Sequence, residues 1–159
     1  MGDSAGSAAD DAAAWAGAMS EVVTIRVAGM APAPQGSKRH VGGGRMVESC
    51  RNVKLWRQLV VLAAVEAGVQ LIRGPVRMSA VFLFTRPAGH FRKDGTLKPS
   101  APVHHCVKPD ASKLQRSTED ALSKLAYEDD CRIVGLSCEK QYCAPGEMPG
   151  ALITLIPLD

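Results

Sequence analysis

The sequence is poor in several features that mark whole classes of protein. It has only seven aromatic side chains in 159 residues, too few for repeated base stacking on single-stranded nucleic acid. It contains no apolar run of about eighteen residues, and the apolar stretch 12–19 lacks the basic segment that precedes the core of a signal peptide. Its five cysteines are an odd number without C-x-x-C spacing, which excludes a complete disulfide framework. We therefore expect a soluble cytoplasmic protein without a membrane partner.

The charges are unevenly placed along the chain. The net charge is only +3, but residues 22–109 carry +11 and residues 110–130 carry −3. The outer segments 1–21 and 131–159 carry −4 and −1. The small net charge is therefore the sum of a strongly basic region, 22–109, one short acidic segment, 110–130, and the two outer segments.

The length fits one domain with a single hydrophobic core. Residues 1–20 are mainly Ala, Gly, Ser and Asp, a composition that cannot bury enough apolar surface to hold itself folded. The prediction is a disordered N-terminal extension over 1–20, followed by one domain over 21–159.

Hydrophobic periodicity predicts two helices among four strands. The predicted elements are a strand over 22–27, a helix over 54–69, a strand over 75–86, a helix over 112–126, and strands over 131–138 and 151–158. This β-α-β-α-β-β order indicates a single-domain α/β (α+β) fold, in which two main helices pack on a mixed sheet. The segments 30–44 and 87–109 are rich in Gly and Pro and are predicted loops.

The side-chain patterns of the two helices predict their caps and faces. Asn52 and Ser112 are the predicted N-caps. The apolar face of the first helix is expected to comprise Leu55, Leu59, Leu62, Ala63, Val65 and Val69, and that of the second Leu114, Thr118, Ala121, Leu122 and Leu125. A polar face of the second helix carries Lys113, Arg116, Asp120 and Lys124, with predicted ion pairs from Arg116 to Asp120 and from Asp120 to Lys124.

Acidic residues bracket the second predicted helix. Asp110 lies at its entry, and Asp129 and Asp130 lie just beyond its exit. A helix over 112–126 is about 22 Å long, so spacing alone does not bring these carboxylates to one metal ion. Each also fits a structural role, since Asp110 would favour the helix dipole and the pair would suit a turn.

Three motifs in this region occur in a characteristic order. They are K-P-D-A-S-K-L-Q-R over 108–116, D-A-L over 120–122 and Y-E-D-D-C-R-I-V over 127–134, with P-A-P-Q-G-S-K-R upstream over 32–39. Together they resemble the signature of RusA-family Holliday junction resolvases, approximately K-P-D-x-D-N/K-L-x-K/R, then D-A-L, then D-D-x-x-V/I. The order of elements over 22–157 is also similar to that of the family.

The resemblance implies a homodimeric endodeoxyribonuclease that binds four-way DNA junctions and makes paired nicks, in recombination and repair. The implied cofactor is Mg²⁺, with Mn²⁺ as an alternative, held by Asp110 and Asp130 in a site completed near the dimer interface. Carboxylates suit this hard cation, which can activate water and stabilise charge on a phosphodiester. The lysine that the family places near the phosphate falls on Arg116, whose planar guanidinium differs from a compact ammonium.

Ser112 stands where the family signature has its second aspartate. A serine hydroxyl can ligate Mg²⁺ but brings no negative charge and cannot act as a base near neutral pH. Glu119 and Asp120 are candidate replacements, although Asp120 lies about 12 Å along the helix from Ser112. The expected outcomes are an active site that is rearranged, weakened or lost. The alternatives are therefore a junction-binding protein without turnover, or a general nucleic-acid-binding domain.

Two basic loops flank the acidic segment and are the predicted DNA contacts. The candidate DNA-binding residues are Lys38, Arg39, Arg45, Arg92, Lys93, Lys98, Lys108 and Lys113. Each could equally be an ordinary solvated charge, but together they suit phosphate contacts.

The remaining His and Cys residues do not have the paired short spacings of a zinc site. His104 and His105 are predicted to be solvated loop residues or DNA contacts. Cys131 and Cys138 are predicted to be buried on the third strand.

Overall fold

A computed structural model describes residues 21–36, 38–48 and 50–158, with residues 38, 39 and 46–48 described by their backbone only. The predicted disordered extension over 1–20 lies outside these residues. The strands are β1 (Val23–Ala28), β2 (Lys38–His40), β3 (Met46–Glu48), β4 (Val76–Phe84), β5 (Ile133–Tyr142) and β6 (Gly150–Pro157), and the helices are α1 (Val53–Glu66) and α2 (Ala111–Leu122).

The main sheet has the strand order β1-β6-β4-β5. β5 pairs parallel with β4, whereas the β1–β6 and β4–β6 pairs are antiparallel. Alternate side chains of the sheet are buried, as Ile25 and Val27 are on β1 between exposed neighbours. The expected single-domain fold, with a mixed sheet and two helices, is confirmed.

The segment predicted as a loop over 30–44 contains the first strand of an additional small hairpin, whose second strand lies just beyond it. β2 and β3 pair antiparallel, with Lys38 opposite Glu48 and His40 opposite Met46. Gly42, Gly43 and Gly44 between the strands all have positive φ, a conformation that glycine adopts without steric cost. The hairpin lies outside the main sheet.

The buried face of α1 differs from the predicted one. Trp56, Val60, Ala63 and Ala64 are buried, whereas Leu55 is 57 % exposed. Leu62 and Val65 are also exposed. Because successive side chains on a helix point about 100° apart, burying the large indole of Trp56 turns the adjacent Leu55 toward the surface.

α2 begins earlier and ends earlier than predicted. Its N-cap position is Asp110 rather than Ser112, because the backbone oxygen of Asp110 accepts from the amides of Lys113 and Leu114. The helix ends at Leu122, and Lys124 adopts a left-handed backbone with φ of 69°. The Lys124 amide then donates to the Tyr127 carbonyl, which turns the chain back toward β5.

β5 begins later and extends further than the predicted strand over 131–138. A single 3-10 turn, Asp130–Arg132, precedes it, and the Asp129 side chain accepts from the Cys131 amide. This turn leaves Cys131 exposed, so its predicted burial is wrong, whereas Cys138 is half-buried and packs against the core.

Candidate active site

The acidic segment of the chain lies where α2 packs against the edge strand β5. In the parallel pairing with β4, Cys138 lies beside Ala80 and Lys140 lies beside Phe82. Ala80 and Phe82 are buried, so Cys138 and Lys140 share the face of the sheet that α2 covers. This face holds the chemistry-bearing side chains described below.

Lys140 connects β5 to the segment that enters α2. Its Nζ donates to the carbonyl oxygens of Val107, at 2.7 Å, and Pro109, at 2.9 Å. Pro109 directly precedes Asp110, so Lys140 fixes the N-terminus of α2 relative to the sheet. The sequence pattern did not indicate this role, and its only signal was a lysine at the inward-facing strand position between Cys138 and Tyr142.

The two candidate residues at the start of α2 are accessible. The Asp110 side chain is 56 % exposed and lies 3.6 Å from Lys113 Nζ. Ser112 is exposed on the first turn. Both can therefore meet a ligand that approaches from solvent.

A second group of polar side chains lies further along the same helix. Gln115 and Glu119 are buried, at 3 % and 9 % exposure. Burial is the main cause that raises the pKa of Glu119; a hydrogen bond from Gln115 opposes the rise, and the charge of Asp130 adds to it. Asp130 lies in the 3-10 turn before β5, so its charge acts on Glu119 from outside the helix.

Two oxygens in this group lack hydrogen-bond partners in the described part of the chain. They are Gln115 Oε1 and Asp130 Oδ1, and both are fully buried atoms. The remaining contacts are structural, since Gln115 Nε2 contacts Met78 Sδ at 3.5 Å and Tyr127 donates to the Glu119 backbone carbonyl at 2.9 Å. Buried unpartnered oxygens beside carboxylates fit a hard divalent cation, which binds through oxygen ligands.

Two arginines contact the carboxylate of Asp120. Arg57 on α1 contacts Asp120 Oδ2 at 2.9 Å, and Arg116 Nε contacts Asp120 Oδ1 at 3.4 Å. The predicted Arg116–Asp120 pair is thus confirmed. The predicted pair from Asp120 to Lys124 is wrong, because Lys124 lies beyond the helix and its Nζ contacts Asp129 Oδ2 at 3.3 Å.

The structure places the predicted metal ligands toward different ends of α2. Asp110 and Glu119 are nine residues apart, roughly 13 Å along the helix, and Asp130 lies at the Glu119 end. Among the described residues, no hydrogen bond or ion pair joins Asp110 or Ser112 to Asp130. In the same residues, no group of three or more His, Cys, Asp or Glu side chains is placed to hold a metal ion.

Most of the predicted DNA-binding residues whose side chains the structure describes lie on the surface. Arg45, Arg92, Lys93 and Lys108 are exposed. Lys98 is also exposed, but its Nζ donates to the Gly89 carbonyl at 2.8 Å and so stabilises the loop. The side chains of Lys38 and Arg39 lie outside the described residues.

The long loop over 87–109 packs back onto the ends of β4 and β5. His105 is 7 % exposed and stacks on Phe84 with ring centroids 4.1 Å apart. Tyr142 lies 5.0 Å from the same imidazole. Burial, followed by the nearby charge of Lys140, lowers the pKa of His105. The prediction of a solvated or DNA-contacting side chain is therefore wrong for His105, whereas His104 is exposed.

The described helices include none with the length and apolar character needed to cross a bilayer. A family model described as Endodeoxyribonuclease RusA matches residues 29–155, which is most of the chain. The comparison with curated proteins gives no match.

Proposed function

Because the chain belongs to the RusA endodeoxyribonuclease family, we propose that it resolves four-way (Holliday) DNA junctions by Mg²⁺-dependent paired phosphodiester hydrolysis, in recombination and repair. The observation that carries the chemical part of the proposal is Asp130 Oδ1, a buried oxygen in the turn before β5 that has no hydrogen-bond partner among the described residues. A buried carboxylate oxygen without a hydrogen-bond partner is costly in the absence of a cation and fits one that binds there.

The proposed cation ligands are Asp130 and Asp110. When bound, Mg²⁺ supplies an activated water and neutralises charge that develops on the phosphodiester. Since Asp110 and Asp130 lie toward opposite ends of α2 within one chain, the proposed site is completed where two subunits meet. Two such sites in a homodimer would account for paired nicks on opposite strands.

Arg116 is the proposed phosphate ligand. Its side chain is exposed, and its Nε contacts Asp120, which orients the guanidinium. The planar terminal nitrogens can then form two parallel hydrogen bonds to phosphate oxygens. Arg116 would thereby hold the scissile phosphate over the acidic segment.

Junction binding is assigned to the exposed cations of the two loops. Arg45 on the β2–β3 hairpin and Arg92, Lys93 and Lys108 on the long loop offer positive charge to duplex arms. Such contacts read backbone shape and make affinity fall as salt rises.

A second candidate function is junction binding without turnover. It is favoured by two observations. Ser112 replaces a signature carboxylate, and no group of three or more His, Cys, Asp or Glu ligands occurs among the described residues. The discriminating result is junction binding with no cleavage in either Mg²⁺ or Mn²⁺, together with cleavage gained by Ser112→Asp.

Cleavage of synthetic four-way junctions in Mg²⁺ tests the leading proposal. Asp110→Asn and Asp130→Asn should each abolish paired nicking while junction binding in EDTA remains. Asp129→Asn is the matched control, because the asparagine retains the oxygen that accepts from the Cys131 amide. Equal nicking by wild type, Asp110→Asn and Asp130→Asn would show that the assigned ligands are wrong.

A further inference from the structure

We infer that the free edge of β5 pairs antiparallel with β5 of a second copy of this chain, about a two-fold axis at Gly135. This pairing brings Asp130 of each chain to the segment that carries Asp110 of the other. The inference deepens the proposed function, and its second part rests on that function, since it names the surface on which two subunits complete each cation site.

β5 is the longer of the two edge strands of the main sheet. It pairs with β4 along one side, and in the part of the chain that the structure describes no strand pairs with its other side. The ten residues Ile133–Tyr142 therefore present a row of free backbone amide and carbonyl groups about 33 Å long. β1, at the opposite edge, has only six residues. A free edge of this length can be extended by a strand of another chain.

Two exposed apolar side chains lie in the first half of this edge strand. Val134 is 64 % exposed and Leu136 is 52 % exposed, on either side of Gly135. β4 pairs with Ile133 and with Gly135, so Val134 between them is an extra residue without a partner on β4. A second β5 that runs antiparallel about Gly135 places Val134 of each chain beside Leu136 of the other. All four side chains are then shielded from water.

The charges toward the two ends of β5 fit the same axis. Asp130 lies in the turn before the strand, and Lys140 lies near its end. Among the described residues, neither of them forms an ion pair. Gly135 is midway between the two in sequence, so antiparallel pairing about Gly135 directs Asp130 of each chain toward Lys140 of the other. Parallel pairing would bring like charges together, so the charges favour the antiparallel arrangement.

The same arrangement brings the two proposed cation ligands together. Lys140 Nζ donates to the carbonyl of Pro109, the residue before Asp110. The segment that carries Asp110 therefore lies at the Lys140 end of β5, whereas Asp130 lies at the other end. A two-fold axis between the chains exchanges these ends, so Asp130 of one chain meets the Asp110 segment of the other. Two equivalent sites result, each with one carboxylate from each chain.

Sedimentation of the full chain in EDTA, over a range of protein concentrations, tests the surface. We expect wild type to dimerise. Val134→Lys and Leu136→Lys should each raise the Kd of the dimer about tenfold or more, because each places like charges close to the axis. Leu62→Lys on α1 is the matched control, since Leu62 is also exposed, at 59 %, and should leave Kd within about twofold of wild type.

The fold of each variant is checked by circular dichroism, and all three replaced side chains are exposed, so the variants are expected to fold. If wild type stays monomeric at every concentration, the inference is overturned. It is also overturned if either β5 variant dimerises as tightly as wild type.

A mixed dimer tests whether the two chains share each cation site. Two differently tagged chains, one with Asp110→Asn and one with Asp130→Asn, are coexpressed, and the dimer that carries both tags is isolated. In the inferred arrangement one of its sites has lost both carboxylates and the other keeps both. Free Mn²⁺ is followed by its electron paramagnetic resonance signal during titration. We expect one tightly bound Mn²⁺ per mixed dimer against two per wild-type dimer, and binding about tenfold or more weaker in each single variant alone.

Failure of the inference and failure of the proposed function give different results. If wild type binds two Mn²⁺ ions and the mixed dimer binds none tightly, each site draws both ligands from one chain; the inference is overturned and the family activity can stand. If wild type binds no Mn²⁺, the inference is also overturned, whatever the cleavage assay shows. If dimerisation and Mn²⁺ binding follow the expected pattern but no junction is cut, only the proposed function is wrong.

Discussion

Arg57 on α1 and Asp120 on α2 join the two helices through a 2.9 Å contact between Arg57 Nη2 and Asp120 Oδ2. Both side chains are about a quarter to a third exposed, so the pair is partly shielded from solvent. Arg116 contacts the other carboxylate oxygen. With both oxygens engaged by arginines, Asp120 serves helix packing and is a poor candidate for a metal ligand.

This relationship predicts that Asp120→Asn costs stability and leaves Mn²⁺ affinity within twofold of wild type. The expected loss is about 1 kcal/mol of unfolding free energy, because the pair is only partly buried. Urea unfolding of Arg57→Ala, Asp120→Ala and the double variant gives the coupling energy. A coupling of zero, or a loss of Mn²⁺ binding in Asp120→Asn, would contradict this assignment.

The Lys140 contacts predict a positioning role. Lys140→Met removes the two hydrogen bonds that hold Val107 and Pro109, so the N-terminus of α2 should shift relative to β5. We expect kcat for junction cleavage to fall about tenfold or more, with KM nearly unchanged, because misplacement by about 1 Å is enough to slow catalysis. Lys140→Arg should recover part of kcat. A rise in KM alone would instead assign Lys140 to DNA binding.

The buried His105 predicts a pH dependence of stability. Its folded-state pKa lies below the ordinary value of 6.5, so the unfolded chain takes up the proton more readily. Stability contributed by neutral His105 is therefore present above about pH 6.5 and is lost as the pH falls below it. We expect Tm to drop between pH 7.5 and pH 5, and His105→Phe to reduce that drop because phenylalanine keeps the stacking on Phe84. If the Tm of wild type and the Tm of His105→Phe fall by the same amount between pH 7.5 and pH 5, this prediction is refuted.

The orientation of α1 predicts that substitutions at two adjacent residues change the unfolding free energy by very different amounts. Trp56 is fully buried and donates from Nε1 to Thr118 Oγ1 at 3.2 Å. Trp56→Ala should cost about 3–5 kcal/mol of unfolding free energy. Leu55→Ser should change it by no more than about 0.5 kcal/mol. Chemical denaturation of both variants checks the helix face, and the reverse ranking would show that the predicted face was correct.

The loop cations predict a change in salt dependence. Replacing Arg92 and Lys93 by glutamine should lower junction affinity, because each cation that pairs with a DNA phosphate releases counterions from it. The slope of log K against log salt should become shallower by about 1 for each phosphate that the variant no longer neutralises. Binding is measured in EDTA at several salt concentrations. An unchanged slope would mean that these two side chains stay solvated in the complex.

Regular patterns made much of the fold predictable from sequence. β4 places apolar residues at every second position from Val76 to Phe84, and α2 repeats Leu114, Thr118 and Leu122 on one face; all of these side chains are buried. The face of α1 was not predictable in the same way, because Leu55 and Trp56 are both apolar and only packing decides which is buried. The end of α2 depended on Lys124, whose left-handed backbone has no strong sequence signal.

The candidate site was only partly predictable for a different reason. Asp110 and Asp130 could be nominated because they lie within recognisable motifs. Gln115 and Lys140 could not, because their contacts are with residues distant in the chain, Met78 for Gln115 and the Val107 and Pro109 carbonyls for Lys140. Whether Asp110 and Asp130 act on one cation stays a prediction.

Two hydrogen bonds hold the long loop over 87–109. Arg86 donates to the carbonyl of Pro102 within the loop, and Lys140 donates to the carbonyl of Pro109 at its end. Its conformational freedom is therefore already restricted when the protein folds. A DNA arm that reaches this loop would meet a preshaped surface and would not have to order it. Loop ordering should then contribute little to the temperature dependence of junction affinity. The rate of association with DNA would be set mainly by electrostatic attraction.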